Sequence, residues 1–514
     1  MTNESNEPAD RPDRVPPLTS RDDDELPEQM RVRREKLDRI RAQGGEPYPI
    51  GFPRTATIAE VRAKYPDLPA DTFTGERVGV TGRVVLSRIG GKLCFATIRD
   101  GSGDLQVMLS LDKVGADSLA RWKSDVDLGD HVGVEGEVIA SRSGELSVLA
   151  DSWAMTGKSL RPLPEKHKGL SDPEARVRQR YVDLIVNPDA RAMVAVRAAV
   201  MASVRNTLAR RGYIEVETPS LQTLHGGATA RPFKTHLNAF DMPLYLRIAL
   251  ELYLKRLVVG GIERVYELGR VYRNEGVDST HSPEFTELEA YEAYGDYNTM
   301  AELTRAVVLD ATAVVGSPVV PDGRGGTIDL AQPWRSITVH EAVSDAVGTQ
   351  VTIDTPVDEL VALAAKFEVA LQPGVDHDHG QVLLELFEKL VEHTLIEPTF
   401  VRDYPVSVRP LARPHRRDPR LVEAWDLIIN GVELAPAYSE LVDPIEQRRR
   451  LTEQSLLAAG GDPEAMQLDE DFLRALEYGA PPMGGVGLGI DRLVMLLTGV
   501  GIRETILFPL VRPE

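Results

Sequence analysis

Three short segments combine ionisable side chains with backbone that can lie close to a ligand. The first reads Arg270-Val271-Tyr272-Arg273-Asn274-Glu275-Gly276 and resumes as His281-Ser282-Pro283-Glu284-Phe285-Thr286-Glu287-Leu288-Glu289-Ala290-Tyr291. Its flanks alternate as strands do, and the polar stretch between them reads as a hairpin loop. A period of two puts Arg273 and Glu275 on one face of the first strand. It puts Phe285, Glu287, Glu289 and Tyr291 on one face of the second. That face gathers an arginine, several acids and two aromatics. If buried, its charges must be paired; a solvated sheet with salt-bridge ladders is the other reading.

The second segment is Trp425-Asp426-Leu427-Ile428-Ile429-Asn430-Gly431-Val432-Glu433-Leu434-Ala435. Asn-Gly between apolar runs signals a hairpin. As a two-residue loop it pairs Ile429 with Val432 and Ile428 with Glu433. Asp426 and Glu433 then lie diagonally on one face, within reach of a shared hard cation. Two carboxylates on one site repel unless a cation or an arginine lies between them; two separately solvated acids are the alternative. Mg2+ suits the pair, because it is usually held by one or two carboxylates plus substrate phosphates. The third segment, Gly485-Val486-Gly487-Leu488-Gly489-Ile490-Asp491-Arg492-Leu493-Val494-Met495, sets alternate glycines before a helix, where backbone can approach a ligand. Asp491 suits a helix N-terminus, whereas Arg492 there needs an anion or a π-face beside it. The spacing Gly-x-Gly-x-Gly is not the dinucleotide fingerprint.

The elements that must position these segments follow from the hydrophobic pattern. From about residue 187 onward, an amphipathic helix over Met193 to Arg211 leads into strands. A more helical stretch follows, then further strands and a helix from about Ile490. No regular βαβ alternation is present, which argues for an antiparallel sheet flanked by helices. Upstream, the runs Val78–Leu86, Leu93–Arg99, Leu105–Leu109, His131–Ala140 and Leu146–Ala150 are cut by Gly-rich turns. Five short strands in about 75 residues suggest a small barrel, and an OB-fold is the natural candidate. The fold class is therefore α+β, with the barrel N-terminal.

The chain of 514 residues carries 59 Lys and Arg against 79 Asp and Glu, a net charge of −20. Such acidity excludes a general polyanion binder, so contact with nucleic acid needs local basic patches. Residues 1–28 hold nine acids, three arginines and five prolines and read as a disordered acidic tail. The charge then reverses in a helical pattern with Arg31, Arg33, Arg34, Lys36, Arg39 and Arg41. A solvated helix face and a phosphate-contacting helix both fit it. The expected organisation is a tail over 1–28, the basic helix and barrel over 29–157, a linker over 158–186 and a catalytic domain over 187–514. The single cysteine, Cys94, excludes internal disulfides and cysteine-rich zinc sites and is expected in the barrel core. No run of about 18 apolar residues and no signal-peptide pattern is present, so a cytoplasmic protein without membrane contact is expected.

Arg210-Arg211-Gly212-Tyr213-Ile214-Glu215-Val216-Glu217-Thr218-Pro219, the Arg-Asn-Glu hairpin and the Gly-x-Gly-x-Gly-x-Asp-Arg helix resemble motifs 1, 2 and 3 of the class II aminoacyl-tRNA synthetases, in that order. The OB-like domain ahead of them is similar to subgroup IIb, which activates Lys, Asp or Asn. His225-Gly226-Gly227-Ala228-Thr229-Ala230-Arg231-Pro232-Phe233, Ala437-Tyr438-Ser439-Glu440-Leu441 and Glu477-Tyr478-Gly479 resemble the bacterial lysyl-tRNA synthetases. The resemblance runs from about residue 30 to 514. It implies that ATP and L-lysine react in line to lysyl-adenylate and pyrophosphate, and that lysine then passes to the 3′ adenosine of tRNA(Lys). It further implies a homodimer joined through motif 1.

By the same resemblance Arg273 and Arg492 would be catalytic. Arg273 would hold the α-phosphate, Phe285 would stack on adenine, and Arg492 would sit on the ring's other face or on phosphate. Glu275, His281 and Gly489 would also line the ATP site, and Asp426 and Glu433 would hold Mg2+. Gly227, Glu251 and Glu289 would meet the α-amino group. Glu440 and Tyr291 would meet the ε-ammonium, with Tyr438 in the same pocket. A buried ammonium needs a carboxylate, and no Arg or Lys stands at these positions to suit an aspartate side chain. Arg88, Phe95, Gln106 and Glu145 of the barrel would read the anticodon. The competing readings are a paralogue with another amino-acid substrate and a catalytically idle RNA-binding protein. The barrel argues against a paralogue that modifies a protein rather than charging a lysine analogue, and retention of Arg273, Glu433 and Arg492 argues against the second.

Four positions depart from the family pattern: Leu250 stands for Pro, Asp426 for Glu, Pro436 for Asn and Ala480 for Met. Pro436 has no side-chain donor, so one contact to the lysine carboxylate is lost or left to water, which predicts weaker lysine binding. Asp376-His377-Asp378-His379 reads as a polar loop before a helix, and Arg413 to Arg417 as a surface or tRNA-facing loop.

Overall fold

A computed structural model of the chain describes residues 26–164, 169–278, 281–371, 378–459 and 466–512. The chain divides into two compact units at Gly169–Leu170. Residues 1–25 of the expected tail lie outside the described residues. The tail's last residues belong to the fold: Leu26 is buried, and Glu28 opens helix α1 (Glu28–Ala42).

In the first unit, β1 (Phe73–Ile89), β2 (Leu93–Arg99), β3 (Asp104–Ser110), β4 (His131–Ala140) and β5 (Leu146–Gly157) close into a barrel in the order β1-β2-β3-β5-β4. The OB-fold expectation holds. Inward residues such as Val80, Ile98, Leu105, Val134 and Val148 form the core, with Cys94 among them. Two helices that the strand pattern does not reveal, Leu111–Val114 and Ala116–Asp125, fill the connection from β3 to β4. Trp122 of the second closes the core.

The basic helix α1 is less free than its charge suggests. Arg33 is buried and donates to the carbonyls of Leu128 at 2.9 Å and Ser159 at 3.0 Å. Lys36 pairs with Asp127 at 2.6 Å, and Arg39 with Asp125 at 2.7 Å. Three of its bases thus fasten the helix to the barrel, while Arg31 and Arg41 are exposed. The expected linker is also built into the fold at both ends. Lys158 is buried against Asp127 and Asp130, and Asp183 is buried against Arg176 and Arg180. Local helices Pro173–Arg178 and Arg180–Val186 occupy its second half.

The second unit is built on an eight-stranded sheet. Its strands are β6 (Ile214–Glu215), β7 (Arg264–Tyr272), β8 (Glu284–Ala293), β9 (Arg335–Thr338), β10 (Thr399–Arg402), β11 (Ala424–Ile429), β12 (Val432–Ser439) and β13 (Met483–Gly489). Their order is β9-β10-β11-β12-β13-β8-β7-β6. Only the two outermost pairs, β9–β10 and β6–β7, are parallel; the interior is antiparallel, as expected. Its helices include α2 (Pro188–Arg210), α3 (Glu251–Val259), α4 (Tyr297–Val315) and α5 (Ile490–Thr498).

Period-two alternation splits the sheet into two faces. Trp425, Leu427, Ala435, Ala437, Val486, Leu488, Leu288 and Ala290 point one way and pack on Val204 of α2, Val307 of α4 and Leu493 of α5. Asp426, Tyr438, Glu440, Glu287, Glu289 and Tyr291 alternate with them and therefore face away from that core. One register expectation is corrected. Ile428 does face Glu433, but a bulge follows, so Leu427 faces Ala435 and Asp426 faces Pro436. The extra residue seats both Leu434 and Ala435 in the core. Pro436 also marks where the β12–β13 ladder stops, since its pairing begins at Ala437. A proline has no N–H to continue it.

Arg33 is predicted to be structural. Arg33→Ala should cost about 2 kcal/mol, because the carbonyls of Leu128 and Ser159 lose their charged donor. Thermal unfolding should show a lowered Tm for Arg33→Ala and an unchanged one for Arg31→Gln with Arg41→Gln.

Candidate active site

The polar face of the sheet carries two adjoining cavities. The smaller, about 230 Å3, is lined by Gly227, Glu251, Glu289, Tyr291, Tyr438 and Glu440, so all six expected pocket residues come together. Glu251 occupies the first turn of α3. Glu289 accepts from the backbone N–H of Leu250 at 2.6 Å and from the Tyr291 hydroxyl at 2.8 Å. The departure at Leu250 is thereby explained in part: proline could not make the first bond. With its O–H donated to Glu289, the Tyr291 oxygen keeps lone pairs that can accept from the cavity. Gly485 is required here, since a Cβ on it would fall 2.1 Å from Glu440 Oε1 and 2.4 Å from the Tyr291 ring.

Lys255 is a neighbour of this pocket that the motifs do not reveal. One helical turn beyond Glu251, it is 1% exposed, and its Nζ lies 2.5 Å from Glu251 Oε1 and 2.5 Å from Glu440 Oε2. A Glu-x-x-x-Lys spacing inside the apolar helix ELYLKRLVV was the available signal, but the same spacing is common on solvated helices. Glu251 and Glu440 share this ammonium, while Glu289 has no cation beside it among the described residues. Burial raises all three carboxyls above their usual range, and Glu440 is pushed up to about 8 despite Lys255. Although burial opposes the charge of Lys255, Glu251 and Glu440 hold it protonated.

The larger cavity, about 610 Å3, is lined by Arg273, Glu275, His281, Phe285, Gly489 and Arg492, the whole expected nucleotide set. Arg273, Glu287, Glu433 and Pro436 line both cavities. Arg273 and Glu275 are not on a strand face as expected, because β7 ends at Tyr272. The hairpin closes one step further, with Arg273 N–H donating to Pro283 O at 3.0 Å. The Arg273 guanidinium lies 5.1 Å from the Phe285 ring centroid and 3.9 Å from Glu287. Arg492 donates to Glu433 O at 2.5 Å and stands 3.7 Å from its carboxylate, which supplies the anion its helix position demands. Asp491 is structural: it accepts from Thr286 N–H at 2.8 Å and from Arg197 at 2.5 Å. Glu388 and Glu392 also line this cavity and carry no motif signal. Burial, helped by Glu433, pushes Glu392 up to about 7.

The proposed metal pair is partly partnered. Asp426 Oδ2 accepts from Arg409 at 2.6 Å, a residue the motifs do not reveal. Asp426 Oδ1 is buried with no hydrogen-bond partner. Burial and then the charge of Asp426 raise the Glu433 carboxyl. An orphaned carboxylate oxygen beside a second acid whose carboxyl is raised fits a divalent cation. Among the described residues no three His, Cys, Asp or Glu side chains converge as a closed metal cage. That agrees with a cation that completes its shell from phosphate and water.

On the barrel, Arg88 pairs directly with Phe95, and Gln106 pairs with Thr97, two residues along the same face as Phe95. Gln106 donates to Ser147 Oγ at 2.9 Å, and Glu145 lies exposed two residues before it. Phe95 is half-buried on the outer face, alternating with the core residues Cys94 and Ala96. The four anticodon candidates thus share one outward surface. Of the lesser features, Arg416 is an ion-pair brace to Asp296 and Glu423. Asp378 caps its helix, and Asp376 and His377 lie outside the described residues. No helix among the described residues is long and apolar enough to cross a membrane.

The raised carboxyls fix a pH dependence. An acid whose pKa is higher folded than unfolded holds a proton that the unfolded chain releases, so stability falls as pH rises through that interval. For Glu440 the interval runs from its ordinary 4.5 to about 8. The Tm of the ligand-free protein should fall across this range, and a Glu440→Gln variant should show a shallower fall. An equal slope in both would contradict the assignment.

The family described as tRNA synthetases class II (D, K and N) matches residues 172–512, and the OB-fold nucleic acid binding domain matches residues 78–155. The lysine–tRNA ligase of Kineococcus radiotolerans is 58% identical over 493 residues, which span 96% of this chain and 98% of that protein. Lysine–tRNA ligase 1 of Mycobacterium tuberculosis is 56% identical over 498 residues, 96% of this chain and 98% of its own length. The lysylphosphatidylglycerol biosynthesis bifunctional protein LysX of Nocardia farcinica is 53% identical over 493 residues, 95% of this chain but 43% of that longer protein. Matches that run through both units, over a sheet with this polar face, settle its place: the chain belongs to the class II tRNA synthetases (D, K and N) and is an aminoacyl-tRNA ligase.

Proposed function

We propose that the chain is a lysine–tRNA ligase, which activates L-lysine with ATP and transfers it to tRNA(Lys). The observation that carries this reading is the charge of the small cavity. Glu251, Glu287, Glu289, Asp426, Glu433 and Glu440 line it against Arg273 and Arg409, and Lys255 pairs with Glu251 and Glu440, so six acids stand against three bases. A lysine zwitterion brings two ammonium groups, and its carboxylate can lie toward the arginines. Aspartate or asparagine would leave the acids uncompensated, at a cost of several kcal/mol.

The geometry supports a part for each of these side chains. Glu440, with Oε2 held by Lys255, offers Oε1 to the ε-ammonium, beside the acceptor oxygen of Tyr291. Glu251 and Glu289 face the α-amino group near Gly227, whose φ of +87° lets the backbone turn against Glu251. The substrate carboxylate lies where the cavities meet. There it attacks the α-phosphorus of ATP: a carboxylate C–O–P linkage forms, and the bond to pyrophosphate breaks in line. Arg273 sits at that junction and stabilises the α-phosphate charge. Phe285 and Arg492 hold the adenine and phosphates, with Glu275, His281 and Gly489 around them. Asp426 and Glu433 would hold Mg2+, which neutralises phosphate charge. No protein nucleophile is needed, since positioning and charge neutralisation supply the acceleration.

On the barrel, Phe95 offers a stacking face to an anticodon base, with Arg88, Gln106 and Glu145 beside it. A homodimer fits the edge of the sheet, where β6 has one neighbour and Ile214 is 54% exposed.

ATP–pyrophosphate exchange measured with each of the twenty amino acids tests the reading. Exchange is expected with lysine alone. Norleucine, which lacks the ε-ammonium, should be at least ~10^4-fold less efficient, as for sites whose buried polar groups are left unpaired. Exchange with aspartate, or none with any amino acid, would overturn the assignment.

A further inference from the structure

The lysine-activating reading leaves one group without enough partners. The substrate carboxylate must enter a cavity walled by acids, and few cations face it. Lys255 is fully engaged by Glu251 and Glu440. Arg273 stands at the junction with the nucleotide cavity and already answers to Glu287 and to the α-phosphate. Pro436, on the same wall, has no donor to offer.

The remaining cation on this wall is Arg409. Its guanidinium rests 4.5 Å from the Tyr404 ring centroid and is tethered to Asp426 Oδ2 at 2.6 Å. Asp426 lies directly opposite Pro436 in the sheet register. The tether therefore holds a guanidinium on the side of the cavity where Pro436 leaves a gap. Its Nε has no hydrogen-bond partner. A guanidinium has five donors, so Asp426 and the Val408 carbonyl, which accepts at 3.2 Å, do not exhaust it. Although burial opposes its charge, Asp426 keeps it protonated.

We propose that Arg409 is a substrate-binding residue, whose guanidinium, held by Asp426, grips the amino-acid carboxylate in place of a donor at position 436. This rests on the lysine reading above. Asp426 then has two tasks: Oδ2 steers Arg409, and Oδ1 remains for the divalent cation. Arg409 orients the attacking carboxylate and so complements Arg273, which stabilises the phosphate that is attacked.

Calorimetric titration of the full chain with L-lysine and with L-lysinamide, which keeps both amines but lacks the carboxylate, tests this. Failure of the wild-type chain to bind lysine would sink the lysine reading before any variant is considered. Given wild-type binding, Arg409→Met should weaken L-lysine about tenfold or more, and leave L-lysinamide within about twofold. Equal change for the two ligands, including none, would overturn the proposal, because a merely structural arginine shapes the pocket for both. Should Arg409→Met fail to fold, Arg409→Lys keeps a cation for Asp426 and carries the same comparison: a selective loss for L-lysine supports the proposal, and equal change overturns it.

Discussion

A buried carboxylate costs several kcal/mol unless something positive answers it. Around the smaller cavity Glu251 and Glu440 share one internal ammonium, Lys255, and Glu289 lies buried beside them with none of its own among the described residues. Burial, helped by this imbalance, raises the three carboxyls above their usual range when the cavity is empty, and the imbalance makes a doubly ammonium-bearing ligand the natural complement. Lys255 sets this state. It fixes Glu440 through one oxygen and leaves the other beside Tyr291, so the recognising carboxylate is oriented before a substrate arrives. Preorganised charge of this kind discriminates strongly, because an ill-matched ligand leaves buried groups unpaired.

The two-faced sheet makes such a cavity affordable in folding terms. One face is covered by α2, α4 and α5 and supplies the apolar core. The opposite face can then carry Asp426, Glu287, Glu289 and Glu440 without disturbing it. Alternate glycines on β13 clear the floor; at Gly485 a single methyl group would strike both Glu440 and Tyr291. The bulge after Ile428 sets Asp426 against Pro436 and so brings Arg409 to the wall.

Much of this was legible in the sequence, and the misses have physical causes. Asn430-Gly431 fixed the hairpin loop and the Ile428–Glu433 pairing, because few residues tolerate that turn. The bulge one step later follows from how Leu434 and Ala435 fill the core, and no local pattern encodes that. Arg273 and Glu275 were placed on a strand because alternation continues past the last ladder bond at Tyr272. Arg33 and Lys255 share one ambiguity. A charge on a helix reads the same whether it meets water or a buried partner, and only tertiary contacts with Ser159 or Glu440 decide. Arg409 follows a short turn, Val406–Val408, with no periodic signal at all.

The central claim is that unpaired carboxylate charge selects the amino acid, and proton linkage tests it most directly. In the empty protein the Glu440 carboxyl, pushed up to about 8, holds protons near neutral pH. Ammonium groups entering the cavity must drive those protons off. L-lysine binding should therefore be titrated calorimetrically at about pH 7 in two buffers of different ionisation enthalpy. Net release of protons to the buffer is the predicted result. Binding with no proton exchange, or with uptake, would contradict the account.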